Sequence, residues 1–362
     1  MYSTPPPTPI TPVKKKPKVL VWLKRHWISV AIISVAFLAA GGFMLAALSI
    51  QPEKIEVIRN KSTPKPKEKF YSPLTGLEAS DKATTEQAVT GVMIENSPDA
   101  RPQSGLKDAG VIYEASAEGG ITRFMVLYQQ NKPELIGPVR SLRIYYLDWA
   151  APYQASIAHV GGSYNALETV RNGYRDIDQF FNAGTYWRTS DRYAPHNVYT
   201  SGAKLDELNS AKGYTSSKFT SFARTDGKPI AEPTATAISV GFSSPLYATS
   251  YAYDSASNTY ARSLAGAPHA DREKGQITPS VVVVIKVGTQ SRGGSDGYED
   301  LVTNGKGPGY AFPNGSVTET TRQKTHPQNN PRPARSAGNA IKLNRGQTWV
   351  SAITDRGSVS WQ

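Results

Sequence analysis

The chain contains no cysteine in 362 residues. This excludes disulfides, thiol nucleophiles, cysteine metal sites and lipid attachment through an N-terminal cysteine. Histidine is scarce: the five are scattered and none sits in HExxH or a similar spacing, so neither a metal site nor a cofactor is expected. No GxxxxGKS/T loop is present, and HVGGSYNAL departs from GxSxG because Asn165 stands where the last glycine belongs. Acidic residues are missing from positions 1–26, and every ionisable side chain is missing from positions 27–50.

What is present is sorted along the chain. The net charge is +12, of which residues 1–26 carry +6 through Lys14, Lys15, Lys16, Lys18, Lys24 and Arg25. Residues 51–69 carry +3, which leaves only +3 for everything after residue 69. The basic excess therefore belongs to a tail and a linker. With no nucleic-acid-binding signature in the nearly balanced remainder, a nucleic-acid partner is not expected.

The apolar run WISVAIISVAFLAAGGFMLAALSI, residues 27–50, is expected to be a single transmembrane helix. At 1.5 Å rise per residue it spans roughly 36 Å, enough to cross a bilayer core with some tilt. A cleaved signal peptide is the competing reading, although its apolar core is ordinarily shorter. All the tail charge precedes the helix, which places residues 1–26 in the cytoplasm and residues 51–362 outside the cell membrane. The Pro/Thr/Lys tail has too little apolar surface to fold. The linker 51–69, with its PKPKEK stretch, reaches roughly 60 Å if extended.

The folded part begins near Phe70. VTGVMIENS (89–97), GVIYEASA (110–117), ITRFMVLYQ (121–129), ELIGPV (134–139) and ASIAHV (155–160) read as strands. SLRIYYLDWA and YNALETVRN read as helices, with Ser141 and Ser163 as their N-caps. Residues 226–234 read as a second linker, and the segments beyond it, including TATAISVGF, TSYAYDSASNTYARS, SVVVVIKV and QTWVSAIT, are strand-like. The expected class is α+β: an α/β-like N-terminal sandwich of mixed sheet and helices over 70–230, and a β-dominated C-terminal domain over 231–362. HPQNNPRPARSAGN is expected to be a polar loop.

Three segments carry candidate binding residues. In GPVRSLR, Arg140 and Arg143 fall between a strand and the helix expected to start at Ser141. Free N–H groups and the dipole at a helix start favour an anion, whereas a cation there is unfavourable by itself. Two arginines therefore make sense if a ligand compensates, and Arg123 enters the neighbouring strand near the same edge. The alternative is that the three pair with Glu114, Glu118 and Asp148 and only tie loops together. HVGGS offers His159, as a satisfied buried ring or a base, and Ser163 at a Gly-Gly turn that lets backbone approach a ligand. YWRTSDRYAPHNVYTS gathers Arg188, His196 and Asn197 among aromatics, which suits a phosphate or carboxylate on a sugar-like ligand or, alternatively, a rigid surface loop. His269 and Asp271 in GAPHADRE do not by themselves make a metal or catalytic site.

YSPLTGL, MIENSPDARPQSGL, DAGVIYEASAEGGITRF, IGPVRSLR, HVGGS and APHN, in that order, resemble the N-terminal domain of the YerB-like bacterial lipoproteins, a two-domain family of unknown function. YAYDSASNTYARSLAGAPHADREKG and LNRGQTWV resemble its C-terminal domain. The resemblance spans nearly all of 71–362 and implies the two-domain architecture and a place in the cell envelope. Its members are anchored by a lipid-modified cysteine; here the apolar run stands in for it. KDAGVIYEAS, ITRFMVLYQ and ELIGPVRSLR also resemble the LytR-CpsA-Psr phosphotransferases. That resemblance implies Asp108 as a ligand for Mg²⁺ and Arg140 as a clamp on a polyprenyl pyrophosphate. Ser141 replaces the Asp that follows the Arg in that family, which weakens catalysis but not anion binding.

The expected function is thus a membrane-anchored extracytoplasmic protein of the envelope that binds an anionic glycan, lipid-linked precursor or wall-assembly partner through an Arg/His-lined cleft. The alternatives are a metal-assisted cell-wall glycan phosphotransferase and a structural scaffold for wall synthases.

Overall fold

Five runs of the sequence are mostly apolar and do not alternate, and each forms a strand buried on both faces. They are β1 (Thr90–Glu95), β2 (Val111–Ser116), β3 (Thr122–Tyr128), β10 (Val281–Lys286) and β14 (Thr348–Ile353). Continuous burial of this kind requires a layer on either side of the sheet. The computed structural model describes residues 68–220, 222–291, 299–324, 332–334 and 341–362, with scattered positions between 19 and 36.

The remaining strands of the two large sheets are β4 (Ser156–Ala158), β5 (Arg175–Asp176), β6 (Ala237–Gly241), β7 (Thr249–Asp254), β8 (Thr259–Leu264), β9 (Ala267–Pro268), β11 (Gly305–Phe312), β12 (Thr318–Lys324), β13 (Arg332–Ala334) and β15 (Ser358–Trp361). The larger helices are α1 (Ile144–Ala150), α2 (Tyr164–Arg171) and α3 (Gly202–Ala211). A ten-stranded mixed sheet runs in the order β13-β12-β11-β10-β14-β2-β3-β1-β4-β5. Strand β14, close to the C-terminus, lies between β10 and β2 and is parallel to both. Strands from either side of residues 226–234 therefore share one sheet, and residues 68–362 form one compact unit.

One face of this sheet carries α1 and α2, with Tyr145, Tyr146, Trp149, Ala166 and Val170 packed on Met93, Tyr113 and Met125. The other face meets the second sheet, ordered β9-β8-β7-β6-β15. There Ile238, Val240, Tyr251 and Tyr260 pack on Ile112, Phe124, Val282 and Trp349. The β7–β8 hairpin alternates buried and exposed positions because its outer face is solvated. Its turn is held by Asp254, which accepts from Ala256 N at 3.0 Å, and by Asn258 at φ 53°.

This is an α+β protein, and among the described residues the part beyond residue 236 is built of strands and turns with one short 3-10 helix, Pro245–Tyr247. Two local expectations are corrected. ELIGPV contributes only isolated bridges, at Ile136, Gly137 and Val139. The helix expected from Ser141 starts at Ile144 with Arg143 in the cap position. Its start follows packing: Tyr145 and Tyr146 donate their hydroxyls to Ser116 O and Arg123 O, both at 2.7 Å. Among the described residues no helix is long and apolar enough to cross a membrane. The tail 1–26, the apolar run 27–50 and the linker 51–69 lie mostly outside the described residues, as does most of HPQNNPRPARSAGN.

Candidate functional site

Strands β1 and β4 are parallel and pair over Thr90–Val92 and Ser156–Ala158. Beyond that they part, and the segment 138–142 runs between them. Pro138 O accepts from Glu95 N (3.0 Å), Arg140 N donates to Met93 O (2.8 Å), and Val160 N donates to Arg140 O (3.1 Å). A crevice beyond the carboxyl ends of splayed strands is where open sheets containing parallel strands place their ligands. Gly137 allows the segment to enter: at φ 152°, a Cβ there would sit 2.8 Å from the Tyr199 ring and 2.9 Å from Val198 O.

Arg140 is therefore not at a helix mouth. It lies three residues before the cap, on extended backbone, beside the end of β1. Its Nε is 3.3 Å from Glu95 Oε1 and makes no hydrogen bond. The side chain keeps 27% of its surface exposed, and its terminal N–H groups have no hydrogen-bond partner among the described residues.

Glu95 is buried and organises the corner. Its Oε1 accepts from Ser97 Oγ at 3.0 Å, and its Oε2 faces His196 Nδ1 at 2.9 Å. His196 reaches it from a loop closed by Asn197, whose Nδ2 donates to Thr189 O (3.0 Å) and Arg192 O (3.1 Å). Arg188 donates to Asn197 Oδ1 at 2.6 Å, so these two residues brace the loop that presents His196.

Arg123 and Arg143 do something different. Both are buried, and both pair with Glu118: Arg123 at 3.3 Å, Arg143 through its Nε. Arg123 also donates to Ser141 O at 2.8 Å. Burial, then the neighbouring Arg143, lowers the Arg123 guanidinium pKa. Burial works to raise the Glu118 carboxyl pKa, but the Arg143 hydrogen bond and the Arg123 charge outweigh it and leave it below the ordinary value. Here the loop-tying alternative describes what the side chains do.

His159 is fully buried, with Nδ1 2.8 Å from Gly161 O and Nε2 3.0 Å from Asp176 Oδ1. Both ring nitrogens are thus engaged within the protein. Burial favours the neutral Asp176 carboxyl, yet the His159 contact holds its pKa below the usual range. Ser163 precedes α2 at the cap position, but its hydroxyl turns to Asn165 Oδ1 at 2.9 Å and caps no backbone N–H. Asp108 lies toward the opposite ends of the strands from Arg140, where β2 begins, and accepts from Lys274 at 2.7 Å. Among the described residues no three His, Asp or Glu side chains are grouped to hold a metal ion.

The structure thus brings Arg140 and His196 together on Glu95, with Asn197 and Arg188 behind them, and assigns Arg123, Arg143, His159 and Ser163 to internal contacts. Glu95 and Ser97 were not candidates from the sequence. The available signal was an acid placed directly after the apolar VMI, at a position whose partner residues on β1 are all buried.

Residues 74–215 match the family described as "Protein of unknown function (DUF3048) N-terminal domain", and residues 238–350 match its C-terminal domain. Over 306 residues the chain is 31% identical to the Bacillus subtilis (strain 168) protein named "Putative lipoprotein YerB"; the match covers 83% of this chain and 91% of that protein. The crystal structure of YerB from Bacillus subtilis superposes with a TM-score of 0.72 at 28% identity, covering 80% of this chain and 99% of the other.

Proposed function

The chain belongs to the DUF3048 family, and we propose that it is a membrane-anchored extracytoplasmic envelope protein whose Arg140 corner binds the anionic group of a glycan or lipid-linked glycan precursor. The relative's description as a lipoprotein supports the envelope location. The 24-residue apolar run 27–50, preceded only by basic charge, supports a single-pass anchor in a chain without cysteine. The observation that carries the binding reading is Arg140: a part-buried guanidinium, ion-paired through Nε, whose outer fork has no hydrogen-bond partner among the described residues. A fork of this kind matches the geometry of phosphate or carboxylate.

The test is a calorimetric titration of the full chain with glucose 1-phosphate, together with a thermal melt. Arg140→Ala is expected to lose about 2–5 kcal/mol of binding, roughly 30-fold or more in affinity, with only a small fall in melting temperature, because Glu95 keeps its Ser97 and His196 contacts. Arg140→Lys recovers only part, because an ammonium cannot form the fork. Arg123→Ala is expected to do the reverse, lowering the melting temperature through the broken Glu118 pair. An Arg140→Ala protein that melts early but binds as before overturns the proposal.

A further inference from the structure

Glu95 assigns hydrogen-bonding roles to everything that touches it. A carboxylate only accepts, so His196 Nδ1, 2.9 Å from Oε2, must carry the proton. The Ser97 hydroxyl spends its own proton on Oε1 at 3.0 Å and cannot donate to Nδ1, 3.3 Å away. In neutral His196 the lone pair therefore sits on Nε2, the nitrogen turned away from Glu95. That ring is 23% exposed, and the one ion-pair partner of Nε2 among the described residues is Asp99 Oδ2 at 4.0 Å, beyond hydrogen-bond range on a side chain 81% exposed. Nε2 is an oriented acceptor left open.

Arg140 and His196 hence hang on the two oxygens of one buried carboxylate, the first as a charged donor and the second, in its neutral form, as an acceptor through Nε2. A bare oxyanion satisfies the fork but offers nothing to the lone pair. A ligand complementary to both must place a hydroxyl beside its charged group. The geometry points to a hydroxyl-bearing oxyanion, a sugar phosphate with a free neighbouring hydroxyl, with the phosphate on Arg140 and the hydroxyl donating to His196 Nε2. This rests on the anion-binding reading of the same corner and adds a selectivity which that reading does not contain.

The experiment titrates the full chain with glucose 1-phosphate, 2-deoxyglucose 1-phosphate and inorganic phosphate, for the wild type and for His196→Ala. The wild type is expected to prefer glucose 1-phosphate over its deoxy analogue by about three- to tenfold, the worth of one neutral hydrogen bond. His196→Ala is expected to bind the two equally while still binding inorganic phosphate. Equal wild-type affinity for the sugar phosphate and its deoxy analogue overturns the inference without needing any variant. A preference that survives in His196→Ala overturns it as well. In either case, phosphate binding that depends on Arg140 leaves the proposed function standing; if none of the three probes binds, both fall.

Discussion

Arg262 and Glu114 meet at 2.7 Å with neither side chain exposed to solvent. Arg262 comes from β8 in the second sheet and Glu114 from β2 in the first, 148 residues apart in sequence. The pair is well supplied with partners. Glu114 also accepts from Thr122 Oγ1 (3.0 Å) and Trp349 Nε1 (2.9 Å). The Arg262 guanidinium lies 4.1 Å from the Trp349 ring centroid, touches Tyr251 OH at 3.3 Å, and hydrogen-bonds His269. His269 continues to Gln103 Oε1 at 3.0 Å, and Gln103 to Glu95 O at 3.0 Å. A buried polar chain thus runs from the layer between the sheets to the backbone of the candidate site.

Removing one member of a buried pair strands the other charge. Arg262→Met alone, or Glu114→Gln alone, is expected to destabilise the fold by about 3–5 kcal/mol in urea titrations. The double variant is expected to be much less unstable than the sum of the two. Simple additivity would show that the two side chains do not act as a unit.

His269 predicts a pH dependence. Burial first, and the Arg262 and Arg101 charges after it, push its pKa well below the ordinary 6.5. The folded state keeps the ring neutral while the unfolded chain binds a proton near pH 6.5. The unfolded state therefore binds more protons in the window below 6.5, so the stability this group contributes is full above 6.5 and declines as the pH falls. His269→Gln is expected to flatten the melting temperature between pH 6.5 and 5, above the range where carboxylates take over. An acid slope identical to that of the wild type would contradict the assignment.

The sheet order predicts how the chain divides. Neither 70–230 nor 231–362 expressed alone is expected to give a near-UV circular dichroism signal, because β2 and β14 each lose a neighbour buried against them. Co-expression is expected to restore it. The connecting segment is itself held down: Ile230 N donates to Asn314 O at 3.3 Å and Thr234 N to Gly315 O at 2.9 Å. A nick there is expected to leave the halves associated through gel filtration. Two separable, folded halves would refute this.

Part of this protein is determined by its sequence alone. The runs that become β1, β2, β3, β10 and β14 are legible because strands buried on both faces are mostly apolar, without the alternation of a half-solvated strand. The β7–β8 hairpin is legible because the DSASN turn is local chemistry, and α2 because an apolar stripe follows Ser163. Arg140 and His196 stand out by composition, as a guanidinium and an imidazole set among aromatics and glycine. Tertiary structure decided the rest. Ser141 lost the helix start to the Tyr145 and Tyr146 anchors, since packing outweighs a cap worth about 1 kcal/mol. Arg123, Arg143 and Arg140 look alike in sequence, but only a three-dimensional neighbourhood gives Glu118 to two of them and leaves the fork of the third open. Glu95 ends an apolar run like any strand terminator until the loop around His196 folds back onto it. The Arg262–Glu114 pair has no local trace beyond an arginine at an inward strand position. Local propensity and periodicity reach only a few residues along the chain, whereas charges and hydrogen bonds find their partners across space.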